Sequence, residues 1–484
     1  MAPRVFRPYD PTAPLPGPAD LREWLPPDHA VYLLSDLVDA LDLSAILAVY
    51  HQGDGGGNPP YHPVLLTKLL LYAYMQGVVS SRRIAARTYE EVAYRVLTVD
   101  QHPDFRTISD FRERHLAALG DLFPQVVRLA QRLGLVRLEQ VAQDGTKVLA
   151  NASKHRAMSY ARMGSAEERL VRELAALLDA ARAADAAEDA QFGPDRTGDE
   201  LPDDLSGELA RRERRLATIR AAKAALEAEA EAEAAAVRAA DAAERQRRAA
   251  AGEPKKPGKP PAPSGVPQPA AQRNFTDPDS RIMKNSDGAF VQAYNGQIAV
   301  DAGPHQLIVG QSLTNQAADA PHLDPMVAQV RTTLGLLPPA WTADTGFFSA
   351  ANVVAVTEAG STAYLPPSRD AHPPPRRPAV VERVLDEAGL RTTPVALPDE
   401  SAAAAAMRAR LATADGRARY ARRKSTVEPV IGQLKAGRGL RQFLLRGLAK
   451  VQAEWTLWCL GHNLGKVLAA LRAEPALRGR LATG

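Results

Sequence analysis

Three carboxylates, those of Asp144, Asp344 and Glu428, lie in sequence contexts that could support catalysis. Asp144 and Asp344 each lie in or at the end of a β-prone apolar run, and each is followed within two residues by a glycine, Gly145 or Gly346. Glu428 lies in a segment rich in Arg and Lys. A lone carboxylate among basic residues is usually a surface ion pair that contributes little to stability. The importance of Glu428 therefore depends on whether the two aspartates fold next to it.

Converging carboxylates would make a site for hard divalent cations, because Mg²⁺ and Mn²⁺ prefer oxygen ligands. Two such ions bridged by one aspartate can activate a water and stabilise the leaving oxygen of a phosphodiester. The basic residues around Glu428 would then hold a polyanionic substrate. For Asp144 a plainer interpretation stays open, since an Asp-Gly pair is common in the turn of a β-hairpin.

The periodicity of apolar residues predicts the elements that must position these groups. Residues 140–150 are predicted to form a strand around the first aspartate, and another strand is predicted to end at Asp344. Residues 420–435 are predicted to form a helix, on which Glu428 and Lys435 share one face about two turns apart. The buried stripe of that helix is Val427, Val430, Ile431 and Leu434.

The rest of the C-terminal half alternates between strands and helices, which predicts an α/β fold with a mixed sheet flanked by helices. Trp455 and Trp458 are interpreted as core residues rather than as stacking platforms for nucleic-acid bases. Further strands are predicted at residues 290–299, 307–314 and 362–365, and helices at 320–336, 350–359, 400–411 and 453–471.

Residues 62–135 have a wholly helical pattern, in which Arg side chains cluster on the predicted caps and faces. Ser80 and Ser81 can cap one short helix, and Thr107 and Ser109 can cap another. Short helices at steep turns fit a helix-turn-helix-like DNA-binding module, and a plain helical bundle is the alternative. The candidate DNA contacts are Arg82, Arg83, Arg87, Arg112 and Arg114.

Residues 164–272 are predicted to be an insertion into a loop, where added length costs little closure entropy. Repeats of Ala, Glu and Arg predict one helix at 166–190 and a longer one at 206–250. Residues 253–269, rich in Pro and Lys, are predicted to be a linker. The longer helix has a narrow apolar stripe typical of a coiled-coil seam, formed by Leu209, Leu216, Ile219 and Leu226.

Charge is unevenly distributed over the 484 residues. Residues 401–484 hold sixteen basic and four acidic side chains, whereas residues 164–250 hold fourteen basic and twenty acidic ones. This asymmetry predicts a basic face for a polyanion and a separate acidic, solvated segment. Cys459 is the only cysteine, so a reducing compartment is expected. With no signal peptide and no apolar run of membrane-spanning length, a soluble intracellular protein is expected.

Four motifs, in this order, resemble those of the DDE transposases of bacterial insertion sequences. They are QDGTKVLANAS (143–153), NFTDPDSRIM (274–283), TADTGFFS (342–349) and RKSTVEPVIGQLK (423–435). The helical block at 62–135 is similar to that family's DNA-binding domain, and a subset of the family carries a helical insertion like residues 164–272. The resemblance implies an all-α DNA-binding domain at 1–135 and an RNase H-like catalytic domain in two parts, 136–163 and 273–484.

The same resemblance implies a catalytic and metal-binding triad of Asp144, Asp344 and Glu428, with two Mg²⁺ or Mn²⁺ ions per active site. The implied DNA contacts near the glutamate are Tyr420, Arg423, Lys424 and Lys435. Of these, Arg423 and Lys424 are alternatives for a single basic position in the family's pattern.

Proteins of this family bind the terminal inverted repeats of an insertion sequence, cleave the DNA with a divalent metal and join the freed 3′-OH to target DNA. The implied partners are the double-stranded DNA of the transposon ends and of the target. A homodimer is expected, because two ends must be handled together, and the long helices of the insertion could help that pairing. The implied location is the bacterial cytoplasm, at the nucleoid when DNA is bound and without a membrane.

Three rival interpretations stay open. Another nuclease on the same fold, such as a junction resolvase or an RNase H, would rarely need the N-terminal helical module. A catalytically inactive relative kept as a DNA-binding regulator would not need all three carboxylates. A coiled-coil scaffold would explain residues 206–250 but not the Asp-Gly strands.

Overall fold

A mixed β-sheet, whose middle strand carries Asp144, is the element on which the candidate site is built. The computed structural model describes residues 20–50, 60–192, 205–252, 264–285, 287–367 and 401–481. The strands are β1 (Val141–Leu149), β2 (Ala157–Ser159), β3 (Gln272–Asn274), β4 (Arg281–Lys284), β5 (Phe290–Asp301), β6 (Ile308–Thr314), β7 (Ala340–Thr342) and β8 (Thr362–Tyr364).

The sheet runs in the order β4–β5–β1–β7–β8, and β6 also pairs with β5. β5 is antiparallel to β1, β4 and β6, whereas β7 and β8 run parallel to β1. β1 continues through Asp144, paired with Ile298, and through Gly145, paired with Gln297. The predicted strand is therefore confirmed, and the hairpin-turn alternative at Asp144 is wrong.

One edge of β1 is covered only at its two ends. β7 pairs with Val141 and Ala142 at the start of the strand. At the other end Leu149 forms a parallel bridge with Gln442. Among the described strands none pairs with the stretch between these points on that edge, so side chains from distant parts of the sequence can approach Asp144 there.

The helices account for most of the remaining described residues. No described helix combines the length and the apolar composition needed to cross a membrane. The helices are α1 (Ala30–Asp39), α2 (Ser44–Leu47), α3 (Pro63–Met75), α4 (Ser81–Glu90), α5 (Val92–Thr98), α6 (Phe105–Arg114), α7 (Leu116–Gly120), α8 (Leu122–Arg132), α9 (Tyr160–Phe192), α10 (Leu205–Ala250), α11 (Leu323–Leu334), α12 (Ala350–Glu358), α13 (Ala402–Ala412), α14 (Ala414–Gly432), α15 (Leu448–Ala473) and α16 (Ala476–Gly479).

Helix α15 joins the N-terminal helices to the sheet. It packs on β6 and also on α1, α3, α7 and α8, so that one hydrophobic core extends across both parts. Trp455 and Trp458 are fully buried in that core, which confirms their interpretation as packing residues. Gly296 of β5 makes the contact possible, because a Cβ atom there would stand 2.8 Å from the ring of Trp455.

The insertion is a helical hairpin with a small core of its own. Helices α9 and α10 confirm the two predicted helices, and the two-stranded ribbon of β2 and β3 closes the base of the hairpin. Leu216, Ile219 and Leu226 of the predicted stripe are buried against α9. The predicted linker at residues 253–269 lies largely outside the described residues.

One local prediction, the cap of α6, was wrong. Helix α6 begins at Phe105 and is capped by Asp104, whose Oδ1 accepts hydrogen bonds from the backbone N–H of Arg106 and Thr107. Thr107 and Ser109 therefore lie inside the helix, because Asp104, a better capping residue, precedes them.

Candidate active site

Asp144 stands on β1 at the uncovered edge, with its side chain 19% exposed. Its Oδ1 accepts a hydrogen bond from the backbone N–H of Gly145 at 2.8 Å, and its Oδ2 accepts one from Nη1 of Arg423 at 3.0 Å. Burial raises the pKa of Asp144 to about 6, and the negative charge of Asp344 adds to the rise while Arg423 opposes it. The carboxylate is therefore held in a surrounding where a cation would stabilise its charge.

Asp344 follows β7 and caps a single 3₁₀ turn, Thr345–Phe347. Its Oδ1 accepts the backbone N–H of Gly346 at 2.9 Å. Because β7 runs parallel to β1 and lies next to it, this turn opens beside the uncovered edge of β1. Val141 pairs with Trp341 and Ala142 with Thr342, so Asp144 and Asp344 each lie two residues beyond the last of these pairs, on neighbouring chain segments.

Glu428 reaches the same place from α14, which packs on β1, β5, β7 and β8. Its side chain is 53% exposed, and its Oε1 stands 3.8 Å from Nη2 of Arg423. Pro429 follows within the helix and lacks the N–H that would bond to the Ser425 carbonyl. The side-chain amide of Gln306 donates to that carbonyl instead, at 2.7 Å. The helix thus continues past a proline directly beside the glutamate.

Arg423 lies between the carboxylates of β1 and α14. Its side chain is only 8% exposed, and its guanidinium contacts both Asp144 and Glu428. Its guanidinium carbon lies 5.7 Å from the ring centre of Tyr420, which is also buried. Lys424, the other basic candidate, is exposed on the same side of the helix as Glu428 and has no ion pair with the carboxylates among the described contacts. Of the two alternatives, Arg423 is therefore the residue that meets the carboxylates.

Lys435 extends the site along β1. It lies in a π-helical turn, Gln433–Gly437, that follows α14, and its Nζ donates to the backbone carbonyl of Lys147 at 2.8 Å. Burial lowers the pKa of Lys435. A partly desolvated ammonium close to the strand of Asp144 would attract a phosphate group.

The carboxylate oxygens brought together here are the ligand type that hard divalent cations prefer. Among the residues that the structure describes, no group of three or more His, Cys, Asp or Glu side chains stands close enough to hold a metal ion as it is. Arg423 supplies the positive charge next to Asp144 and Glu428. The carboxylate donors fit a divalent cation by their chemistry.

Sequence reasoning missed a polar cluster on the reverse face of β1. Asp319 accepts hydrogen bonds there from Asn295 and Gln297 of β5, and pairs with Lys147 of β1. The available signal was the period-two placement of Asn295 and Gln297 in an otherwise apolar strand. The signal for Asp319 itself was absent, because its segment has no motif of its own.

The five arginines predicted in the N-terminal region differ in accessibility. Arg82, Arg83 and Arg114 are exposed, whereas Arg87 pairs with Glu91 at 2.9 Å. Arg112 is buried and donates to the backbone carbonyl of Val79 at 2.8 Å, so it supports the fold between α3 and α4.

A cavity of about 360 Å³ opens between α4, α6 and the segment that bridges to the end of β1. Its wall includes an aromatic ring, Phe105, over which the guanidinium of Arg82 lies at 4.5 Å. Besides Arg82, the charged residues of its lining are Arg106, Arg112 and Asp110, so positive charge is in excess there. The other residues that line it are Ser80, Ser81, Ser109 and Leu444.

Comparison with known proteins gives two matches. Residues 19–114 match the family described as "Transposase domain (DUF772)", and residues 391–468 match the family described as "Transposase DDE domain". Glu428, Arg423 and Lys435 lie within the second match, whereas Asp144 and Asp344 lie outside both. No curated protein and no solved structure matches the chain.

Proposed function

Because the chain belongs to the DDE transposases of insertion sequences, we propose that it binds terminal inverted repeats and performs metal-dependent DNA strand cleavage and strand transfer. Asp144, Asp344 and Glu428 are the proposed triad. The observation that supports the proposal is the placement of Asp144 on β1, of Asp344 directly after the neighbouring strand β7, and of Glu428 on a helix that packs on both strands. They come from three distant parts of the chain, and Arg423 contacts two of them.

The strand order supports an RNase H-like catalytic domain. Strands β1, β5 and β6 form an antiparallel part, and β7 and β8 follow on the other side of β1 in parallel. The first aspartate lies on the middle strand, the second follows the neighbouring parallel strand, and the glutamate lies on a helix packed across both. The helical insertion lies in the connection between β1 and β5 and does not change the order of the strands in this sheet.

Enzymes of this family generally use divalent metal ions. The three carboxylates would hold them, and we propose two Mg²⁺ or Mn²⁺ ions. When bound, they supply Lewis-acid stabilisation of the oxygens at the reacting phosphorus. The side chains around the triad would determine the position of the reacting phosphorus.

Basic side chains beside the triad would hold the phosphodiester in line. Lys435, which lies next to β1, would contact a non-bridging oxygen of the phosphate. Arg423 would contact another once it is released from Asp144, and the ring of Tyr420 would support its guanidinium. The exposed Lys424 would reach a neighbouring phosphate. In the first step a water oxygen bonds to phosphorus and the bond to the 3′ oxygen breaks, which leaves a 3′-OH. In the second step that 3′-OH attacks a target phosphate and displaces its 3′ oxygen.

The N-terminal helices would bind the duplex. Arg82, Arg83 and Arg114 are exposed cations on α4 and α6, and each phosphate contact adds to a salt-dependent affinity. Arg87 would contribute more weakly because of its ion pair with Glu91. We propose that buried Arg112 contributes only by holding the turn before α4.

The insertion is proposed to help pair two DNA ends in a homodimer. Its removal is feasible because its two chain ends are adjacent: Tyr160 N–H donates to the carbonyl of Ala271 at 2.8 Å. Replacing residues 164–267 by a short Gly-Ser linker keeps β2 and β3. We expect single-end binding to persist and the slower-moving paired-end complex to disappear in a gel-shift assay. A paired-end complex formed as well as by the full chain would contradict this role.

The test of the proposed function uses the DNA that flanks the reading frame, where short inverted repeats are expected. Duplexes carrying those repeats, and duplexes with the repeats scrambled, are incubated with the full chain and with Mg²⁺ or EDTA. We expect selective binding of the repeats and cleavage only with Mg²⁺. Cleavage without selectivity would favour another nuclease on this fold, and selective binding without cleavage would favour an inactive DNA-binding regulator. The proposed location is the cytoplasm, at the nucleoid.

A further inference from the structure

Asp319 lies against the face of β1 opposite to Asp144. Side chains alternate along a strand, so Asp144 and Gly145 point to opposite faces. A Cβ atom on Gly145 would stand 2.5 Å from Oδ1 of Asp319. The carboxylate of Asp319 therefore occupies space that a glycine leaves open, directly behind the strand position of Asp144.

One oxygen of Asp319 is held by three donors. Its Oδ1 accepts hydrogen bonds from Nδ2 of Asn295 and Nε2 of Gln297, both at 2.7 Å, and from Nζ of Lys147 at 3.2 Å. The side chains of Lys147 and Asp319 are 17% and 22% exposed, so water screens this ion pair only in part. These contacts fix the orientation of the carboxylate.

The other oxygen of Asp319 faces the turn that begins at Asp344. A Cβ atom on Gly346 would stand 3.5 Å from Oδ2 of Asp319 and 3.1 Å from Oδ1 of Asp344. The backbone N–H of Gly346 donates to that same oxygen of Asp344. Both carboxylates therefore lie close to Gly346, and Asp319 stands next to the turn that carries Asp344.

Asp319 also acts on the basic side of the site through Lys147. The side chain of Lys147 pairs with Asp319, and its backbone carbonyl accepts the hydrogen bond from Lys435. Asp319 is connected in this way to a proposed metal ligand and to a proposed phosphate contact.

The cluster around Asp319 includes buried polar atoms whose burial destabilises the fold. Asn295 and Gln297 are fully buried, and Oδ1 of the first and Oε1 of the second have no hydrogen-bond partner among the described residues. Unpaired buried acceptors destabilise a fold. Such groups need an explanation beyond packing, and a functional site next to them is one.

We propose that Asp319 is a positioning residue for strand cleavage, which holds the Asp344 turn and Lys147 from behind β1. The inference rests on the proposed function. A residue that served packing alone would change stability when replaced and would leave metal affinity and the cleavage rate of the folded protein unaltered. A positioning residue changes both.

The test compares Asp319→Asn with Asp324→Asn in the full chain. Asp324 is an exposed carboxylate in the first turn of α11, five residues away, and serves as the matched control. We expect Asp319→Asn to weaken Mn²⁺ binding, measured by calorimetry or electron paramagnetic resonance, and to lower the single-turnover cleavage rate, each by about 10–100-fold. The Kd for the end duplex in EDTA should stay near that of the wild type. The control should match the wild type throughout.

A folded Asp319→Asn variant with wild-type Mn²⁺ affinity and cleavage rate would overturn the inference. If that variant does not fold, Gly346→Ala decides, because its Cβ would stand 3.1 Å from Oδ1 of Asp344, closer than an ordinary contact, and would shift that carboxylate relative to Asp319 without removing either charge. The same loss of Mn²⁺ affinity is expected from it, and wild-type behaviour would overturn the inference. A wild type that binds Mn²⁺ but cleaves no DNA would refute the proposed function, while the comparison of Mn²⁺ affinities would still decide the role of Asp319.

Discussion

Replacing Arg423 by Gln removes the positive charge closest to Asp144 while keeping much of the side chain's volume. The guanidinium lies 3.0 Å from Oδ2 of Asp144, and both groups are mostly buried. Burial raises the pKa of Asp144 to about 6 even though Arg423 opposes that rise. An opposite charge at this distance lowers a carboxyl pKa by roughly 1–3 units, so the pKa of Asp144 should rise by that amount in the variant.

The consequence is a shift of pH dependence. A carboxylate must be deprotonated to bind a metal ion, so wild-type Mn²⁺ affinity and cleavage should fall as the pH drops through about 6. In Arg423→Gln the same fall should occur about 1–3 pH units higher. Mn²⁺ titration across this range without DNA isolates the effect on Asp144 from any contact between Arg423 and phosphate. Cleavage rates then provide a second profile.

Two further variants act as controls for this experiment. Arg422→Gln removes a neighbouring charge that pairs with Glu139 instead of the triad, and it should leave the profile unchanged. Arg423→Lys keeps a charge and should shift the profile less than Gln. An Arg423→Gln profile that superimposes on the wild type would refute the argument that Arg423 controls the ionisation of Asp144.

Three other predictions concern stability. Asp144 has a pKa of about 6 against an ordinary 3.8, so folding favours its protonated form. As the pH rises from about 4 to about 7, the free energy of unfolding of Asp144→Asn should therefore increase by about 1–3 kcal/mol relative to that of the wild type. A difference between the two unfolding free energies that stays constant with pH would contradict this. Burial lowers the pKa of His462 to about 3, so wild-type stability should be complete above about pH 6.5 and fall by up to about 1.4 kcal/mol per unit below it. His462→Gln should remove that part of the acid slope, and an equal slope in both proteins would argue against it. Gly145→Ala should cost about 1–3 kcal/mol by crowding the Asp319 cluster, while Gly432→Ala, in open space on α14, should be neutral or stabilising; equal melting temperatures for the two would refute the crowding.

Local patterns predicted much of the fold. β1 was predicted at nearly its observed bounds, because alternation is a property of short stretches. The helix that carries Glu428 was predicted as well, but α14 begins earlier, at Ala414, and ends at Gly432, where a π-helical turn follows. The buried tryptophans of α15 followed from 3.6-residue periodicity. The helix caps of α6 were missed, since Asp104, Thr107 and Ser109 are all able to cap and only the fold selects one of them.

The orientation of the basic residues on α14 could have been predicted more sharply. Arg423 precedes Val427 by four residues, so it belongs to the buried stripe of the helix, which faces the sheet. Lys424 precedes Glu428 by four residues and shares its exposed side. The spacing thus already distinguished the two, although their chemistry alone did not.

The Asp319 cluster was beyond sequence reasoning, because it depends on the register between strands far apart in the chain. Asn295 stands opposite Lys147 and Gln297 stands opposite Gly145 only when β5 pairs with β1 as observed. A slip of one residue would move these amides to the other face. Long-range register is a tertiary property and leaves no trace in a short window.

The central claim is that Asp144, Asp344 and Glu428 act together in metal-dependent cleavage of the element's DNA ends. The most direct measurement is single-turnover cleavage of an end-containing duplex with Mg²⁺ by the wild type and by Asp144→Asn, Asp344→Asn and Glu428→Gln, each first shown to be folded and to bind the duplex. The account predicts cleavage by the wild type and background rates for all three variants. Cleavage by any of the variants at the wild-type rate would contradict the assignment of that residue, and wild-type rates from all three would contradict the account as a whole.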